Sequence, residues 1–286
     1  MATYYTNPRK HVVHELERVT SAEIWVENGK FIDNLKKRIL AHPLFKSPAL
    51  KMLNEGKADL STVKTIHLDY RFAIVKIFTD ALLMAQFLAR DIEHWLPPSS
   101  KIGPRFLLTL NLLDEIGFSP NRADSHYYCG NIRRAHYPLY EDVLDQLGVS
   151  VDEREKHKAS QHAIKLKTKL EDTYTDYLSL VALLAIAEQQ VIVFSPALKR
   201  SLVQLGLDVS TGYYYVHGTS TDESLSAADD DHENDLWLLL QQAMRQDEMP
   251  RIEEMCLSYC DLWMEFWRHH APKEELGSSE RSEKCY

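Results

Sequence analysis

Between Leu60 and Trp95 the chain contains neither glycine nor proline. Apolar residues recur through that stretch at Ile66, Tyr70, Ile74, Ile77, Ala81, Met84 and Leu88. Steps of three and four residues place these side chains on one face of an α-helix and scatter them on a strand. The segment is therefore predicted to be one long amphipathic helix. Ser61 or Thr62 is positioned to cap its start, and Pro97–Pro98 ends it. A chain built around such a segment needs other helices to cover its apolar stripe.

The rest of the sequence supplies them. Phe31–Leu40 has helical spacing, and Phe106–Ile116 forms a short apolar helix closed by Gly117. Tyr137–Leu147 stops at Gly148, a residue suited to the left-handed turn that ends helices. Tyr174–Phe194 is the most apolar stretch and is predicted to be the central helix, with Pro196 opening another. Residues 152–170 are charged and read as a solvated helix start. Segments 231–244 and 251–269 are helical. No run alternates convincingly with the period of a strand. The expected fold class is all-α, a bundle of seven to eight helices. Residues 1–28 read as an N-terminal arm, 29–270 as one helical domain, and 271–286 as a disordered tail.

Composition narrows the function classes. The chain has 286 residues and a formal charge of −9, so it repels a phosphate backbone and nucleic acid is not an expected partner. The four cysteines include no Cys-x-x-Cys pair, which argues against a zinc knuckle or redox motif. The N-terminus lacks the apolar run of a secretory signal. Apolar runs are broken by charges before they reach the roughly 20 residues of a membrane span. A cytoplasmic protein off the membrane, with free thiols, is expected. Thirteen histidines beside abundant carboxylates are the ligand types of non-haem iron.

The residues of chemical interest are those that interrupt apolar runs. Glu188 sits inside SLVALLAIAEQQVIVF. An ionised carboxylate buried there costs several kcal/mol unless paired or metal-bound. The alternative is an exposed stripe shared with Gln189 and Gln190. Glu115 ends FLLTLNLLDEIGF, where a helix end facing solvent is the plainer reading. His217 follows three tyrosines and a valine, as a ligand or as a hydrogen-bonded core residue. Asp229 and His232 are spaced i, i+3, the carboxylate–histidine spacing of di-iron bundles. The alternative is an acidic helix start favoured by the dipole. His136 precedes an amphipathic helix.

Taken in order, the chain gives Glu-x-Gly, His-x-x-Leu-Tyr-x-x-x-Leu-x-x-Leu-Gly, Ala-x-Glu, aromatic-aromatic-x-x-His and Asp-x-x-His. This series resembles the haem-oxygenase-like diiron oxidase and oxygenase family over roughly residues 30 to 270. The resemblance implies a haem-oxygenase-like helical bundle binding two Fe(II) ions through Glu115, His136, Glu188, His217, Asp229 and His232. Two spacings depart from the family's pattern. Glu115 and His136 are 21 residues apart, and His126, only 11 from Glu115, competes with His136. Between His217 and Asp229 lies an insertion, TDESLSAA, which makes Asp222 the fallback for Asp229.

The resemblance further implies O2 as co-substrate and a small amine, amino acid or fatty-acid-like substrate. The outcome would be N-oxygenation or oxidative C–H or C–C chemistry in small-molecule biosynthesis, with an external electron donor and a homodimer compatible. Tyr70, Phe72, Tyr213, Tyr214 and Tyr215 could line the pocket, and Arg71, Lys76, Arg133 or Arg134 could hold a substrate carboxylate. Two rivals stand beside it. A cofactorless enzyme of the thiaminase or pyrroloquinoline-quinone-synthase type would use the same side chains for proton transfer. A non-enzymatic helical interaction protein would leave Glu188 exposed and the six residues scattered.

Overall fold

The computed structural model describes residues 8–119, 129–217 and 228–271. Its helices are α1 (Pro8–Arg18), α2 (Ala22–Leu40), α3 (Pro48–Asn54), α4 (Leu60–Tyr70), α5 (Phe78–Leu88), α6 (Ile102–Glu115), α7 (His136–Gln146), α8 (Val151–Lys156), α9 (Gln161–Glu171), α10 (Tyr177–Gln204), α11 (Tyr213–Val216), α12 (Ala228–Ala243) and α13 (Met249–His270). The all-α expectation holds. The count exceeds seven or eight because short turns such as α3, α8 and α11 are helical in their own right.

α10 is the axis of the bundle. Almost every residue from Tyr177 to Val191 is buried, whatever side of the helix it occupies. Such a helix must be surrounded, and α3, α5, α12 and α13 pack around it. Pro196 does not open a new helix, since α10 runs through it to Gln204. The proline denies one N–H to the helix ladder, a loss of a few kcal/mol that packing on both sides of the break absorbs. Phe194 just before it stacks on Trp267 of α13, with ring centroids 4.2 Å apart and planes at 8°.

Length and composition would let Leu60–His94 and Tyr177–Gln204 each cross a membrane, but 89% of the second helix's most apolar window is buried inside the bundle. The core of a helical protein passes the same test.

Three other expectations change. The boundary between arm and domain at residue 28 falls inside α2, which starts at Ala22 with Ser21 as its cap. α1 packs on α6 and α12, burying Val12 and Leu16. The polar character of the first residues concealed these two anchors. The long helix from Leu60 is capped by Asp59, whose Oδ1 accepts from Thr62 N at 2.7 Å, not by Ser61 or Thr62. It is also broken. Arg71–Val75 forms a π-helical turn between α4 and α5, and Ala89–His94 is a 3-10 segment. Residues 272–286 lie outside the described residues.

Among the described residues the only strands are β1 (Phe118–Ser119) and β2 (Cys129–Gly130), paired antiparallel.

Candidate metal centre

Three core helices each bring one possible metal ligand to the same point. α6 ends at Glu115, α10 carries Glu188 near its middle, and α12 carries His232. α12 packs on both α10 and α6. Glu115 is 6% exposed, Glu188 2% and His232 0%, so the exposed-stripe reading of Glu188 and the solvent-facing reading of Glu115 both fail. One ligand atom from each of these residues lies within 4.8 Å of the other two.

The His232 ring has two different neighbours. Nε2 is 3.0 Å from Asp114 Oδ2. An ionised carboxylate only accepts, so Nε2 carries the hydrogen. Nδ1 is buried without a hydrogen-bond partner, 3.7 Å from Glu188 Oε1. A histidine whose one nitrogen is tied to a carboxylate and whose other faces carboxylates in a dry site has the arrangement of a metal-bound imidazole. Burial opposes charge on His232, but the Asp114 hydrogen bond and the Glu188 and Glu115 carboxylates outweigh it and hold the ring well above its usual value.

The second group joins at Glu115. His136 Nδ1 lies 2.9 Å from Glu115 Oε1. The His217 ring is 4.4 Å from that of His136, and both residues are buried. Burial pushes the Glu115 carboxyl up, but His136, then His217 and His232, bring it below the ordinary glutamate value. His136 is the first residue of α7 and His217 ends α11. Both therefore sit at helix ends, held by loops.

Glu115 and His136 are brought together although they are 21 residues apart: β2 pairs with β1, and Asn131 N donates to Gly117 O at 2.9 Å. Gly117 has φ +87°, and a Cβ there would lie 2.4 Å from the Asn131 carbonyl oxygen. Only glycine permits this approach, and it returns the chain to α6 in time for His136 to meet Glu115.

Glu115, His136, Glu188 and His217 line a cavity of about 30 Å³ whose apolar side is formed by Ile74, Phe78 and Val191, space for about one water or a diatomic. Ile74 reaches it from the π-helical turn, a distortion that often accompanies a functional site. Tyr70 and Tyr213 line the cavity. Phe72 does not, and Tyr215 is exposed. Arg71 pairs with Glu141 and donates to Tyr137 Oη at 3.1 Å. Lys76, Arg133 and Arg134 are exposed.

Asp229 lies in α12, three residues before His232. Its side chain, together with all of His126 and Asp222, lies outside the described residues.

Sequence reasoning missed Asp114, whose only signal is its place beside Glu115 in DEIGF. It also missed a buried relay behind the tyrosines. His67 Nδ1 is 2.7 Å from Val63 O. A carbonyl only accepts, so Nδ1 donates and Nε2 must accept from Tyr214 Oη at 2.8 Å. Tyr140 Oη donates to His67 O at 3.0 Å. Burial, opposed by the Val63 contact, pushes His67 down to about 4. Tyr213 packs against Tyr140 and Tyr214 on one side and His217 on the other, so this relay is the rigid backing of the His217 end.

No protein-family model matches the sequence, and no curated protein does. Solved structures do match. A CADD-like protein of unknown function from Nostoc punctiforme superposes with a TM-score of 0.58 and 18% identity, covering 84% of this chain and 99% of that one. A TenA homologue from Pseudomonas syringae pv. tomato gives 0.56 and 10%, covering 94% and 99%. The chain shares their fold, the haem-oxygenase-like helical bundle.

Proposed function

We propose that the protein is a non-haem diiron oxidase or oxygenase that uses O2 on a small amine, amino acid or fatty-acid-like metabolite. The observation that carries this reading is His232, with Nε2 tied to Asp114 and its buried Nδ1 turned toward Glu188 in a site that attracts a cation. The donor set fits iron. Carboxylate oxygens with neutral imidazoles suit Fe(II) and leave positions open. Glu115, His136 and His217 would hold one ion and Glu188, Asp229 and His232 the other, with Glu115 near both sets. Two such irons, when bound, supply the reduction of O2 and the oxidation of substrate.

The protein's own share follows from the geometry. Asp114 fixes the His232 ring and its tautomer. The Gly117–Asn131 contact sets the distance between Glu115 and His136. Ile74, Phe78 and Val191 give the cavity an apolar wall and leave it too small for bulk water. Tyr70 and Tyr213 stand on the wall of the same cavity, which is large enough for O2 but not for the organic substrate. A small-molecule substrate and an external electron donor are the partners this reading requires.

A second reading has one observation in its favour. The Glu115–His136 pair, 2.9 Å apart, could pass a proton in a cofactorless enzyme. Metal uptake separates the two. Protein purified without oxygen would be loaded with Fe(II) and mixed with O2 in a stopped-flow spectrometer. A transient visible band that needs iron and disappears in both Glu188→Ala and His217→Ala is expected. Full occupancy by added Fe(II) with no O2-dependent change would refute the oxidative reading, and no uptake would leave the acid–base one.

A further inference from the structure

Asp69, on α4, is 1% exposed, and its carboxylate meets three nitrogens. Oδ1 receives His157 Nε2 at 2.7 Å and the Ser160 backbone N–H at 3.1 Å. Oδ2 faces His270 Nε2 at 3.4 Å. The first two contacts are hydrogen bonds that fix the carboxylate. The third is a longer ion-pair contact rather than a short hydrogen bond. His270 is buried, and its Nε2 has no hydrogen-bond partner.

A separation of 3.4 Å does match something else. Two ligands about 2.1 Å from a tetrahedral metal lie about 3.4 Å apart. His269 completes the group, since one ligand atom each from Asp69, His269 and His270 fall within 4.8 Å of one another. His269 and His270 also line a cavity of about 530 Å³ beside Asp59, Thr62 and Thr65. None of the three residues lines the cavity of the first centre.

We propose that Asp69, His269 and His270 form a second metal site, for a divalent first-row ion of the zinc class, with a fourth position open to water from the neighbouring cavity. Two imidazoles and one carboxylate are a ligand set that zinc accepts with three protein ligands and a water. His157 and the Ser160 N–H hold the other carboxylate oxygen and aim the ligating one, the supporting role that outer hydrogen bonds play in metal sites. The bound ion would join the end of α13 to α4, whose next residue, Tyr70, stands on the wall of the first cavity. The site shares no ligand with the diiron reading and stands or falls without it.

The test uses full-length protein stripped of metal and titrated with Zn²⁺ against a chromophoric chelator. Wild type, His269→Ala, His270→Gln and Glu188→Gln would be compared. His269 is exposed, so its replacement leaves the bundle intact, which melting of the metal-free variant checks. We expect His269→Ala and His270→Gln each to weaken one zinc equivalent by at least about tenfold and to abolish the Zn²⁺-dependent rise in melting temperature. Glu188→Gln should leave that equivalent in place. Zinc uptake unchanged in folded His269→Ala, or no uptake below millimolar Zn²⁺, would overturn the proposal.

Discussion

The relay at His67 makes the fold acid-sensitive in a defined window. His67 is 0% exposed and its ring is neutral, donating to Val63 O and accepting from Tyr214. Adding a proton at Nε2 forces the Tyr214 hydroxyl to turn from donor to acceptor and leaves a cation in an apolar core. Burial therefore pushes the value from 6.5 down to about 4. In the unfolded chain the same ring titrates at its ordinary value. Between these values the unfolded state binds more protons than the folded one, so stability rises with pH there. The contribution is complete above 6.5 and is lost progressively as pH falls toward 4. At about 1.4 kcal/mol per tenfold, the whole term is about 3 kcal/mol. The perturbation is His67→Asn, which keeps a donor toward Val63 O but cannot titrate. Urea unfolding from pH 7.5 to pH 4 would be followed for both proteins. Acid effects common to the two cancel in the difference. The wild type should lose about 3 kcal/mol more than the variant over that range. Parallel profiles would refute the buried, neutral relay.

Three further outcomes follow from single contacts. Asp114→Ala should weaken Fe(II) binding about 10- to 100-fold by releasing the His232 ring and should lower the metal-free melting temperature, because a buried imidazole nitrogen loses its partner, read by chelator competition and calorimetry. Gly117→Ala places a Cβ against Asn131 O at a positive φ. It should cost about 1–3 kcal/mol in urea unfolding and lower iron affinity as well, because the same turn carries His136 to Glu115. Trp267→Ala removes the face stacked on Phe194 and should cost about 3–5 kcal/mol with iron stoichiometry retained in the folded fraction.

The helical class was legible because its signal is local. A stretch without glycine or proline and apolar steps of three and four fix α4, α5 and α10 whatever surrounds them. What was not legible depends on packing between distant segments. The π-helical turn at Arg71–Val75 carries no composition of its own. α1 is anchored by Val12 and Leu16, two residues in a polar run. The unbroken course of α10 through Pro196 is decided by its neighbours. At the site, Glu188 could be singled out because a charge in an apolar run must find a partner. Glu115, His136, His217 and His232 followed from their order along the chain, and the structure brings them together. Asp114 could not be found that way, since its partner is 118 residues further along. The cluster at Asp69 was invisible for the same reason: its histidines come from the segment after α8 and from the end of α13.

The central claim is that the buried carboxylates and histidines of α6, α10, α12 and the flanking turns hold two irons. Mössbauer spectroscopy of ⁵⁷Fe-loaded protein tests it most directly. The His269→Ala background keeps the second cluster out of the count. The account predicts two ferrous ions per chain in oxygen- and nitrogen-rich sites, converted together on exposure to O2, with at most one retained in Glu188→Ala. Less than one iron per chain in the parent, or two irons that stay bound when Glu188 is removed, would contradict it.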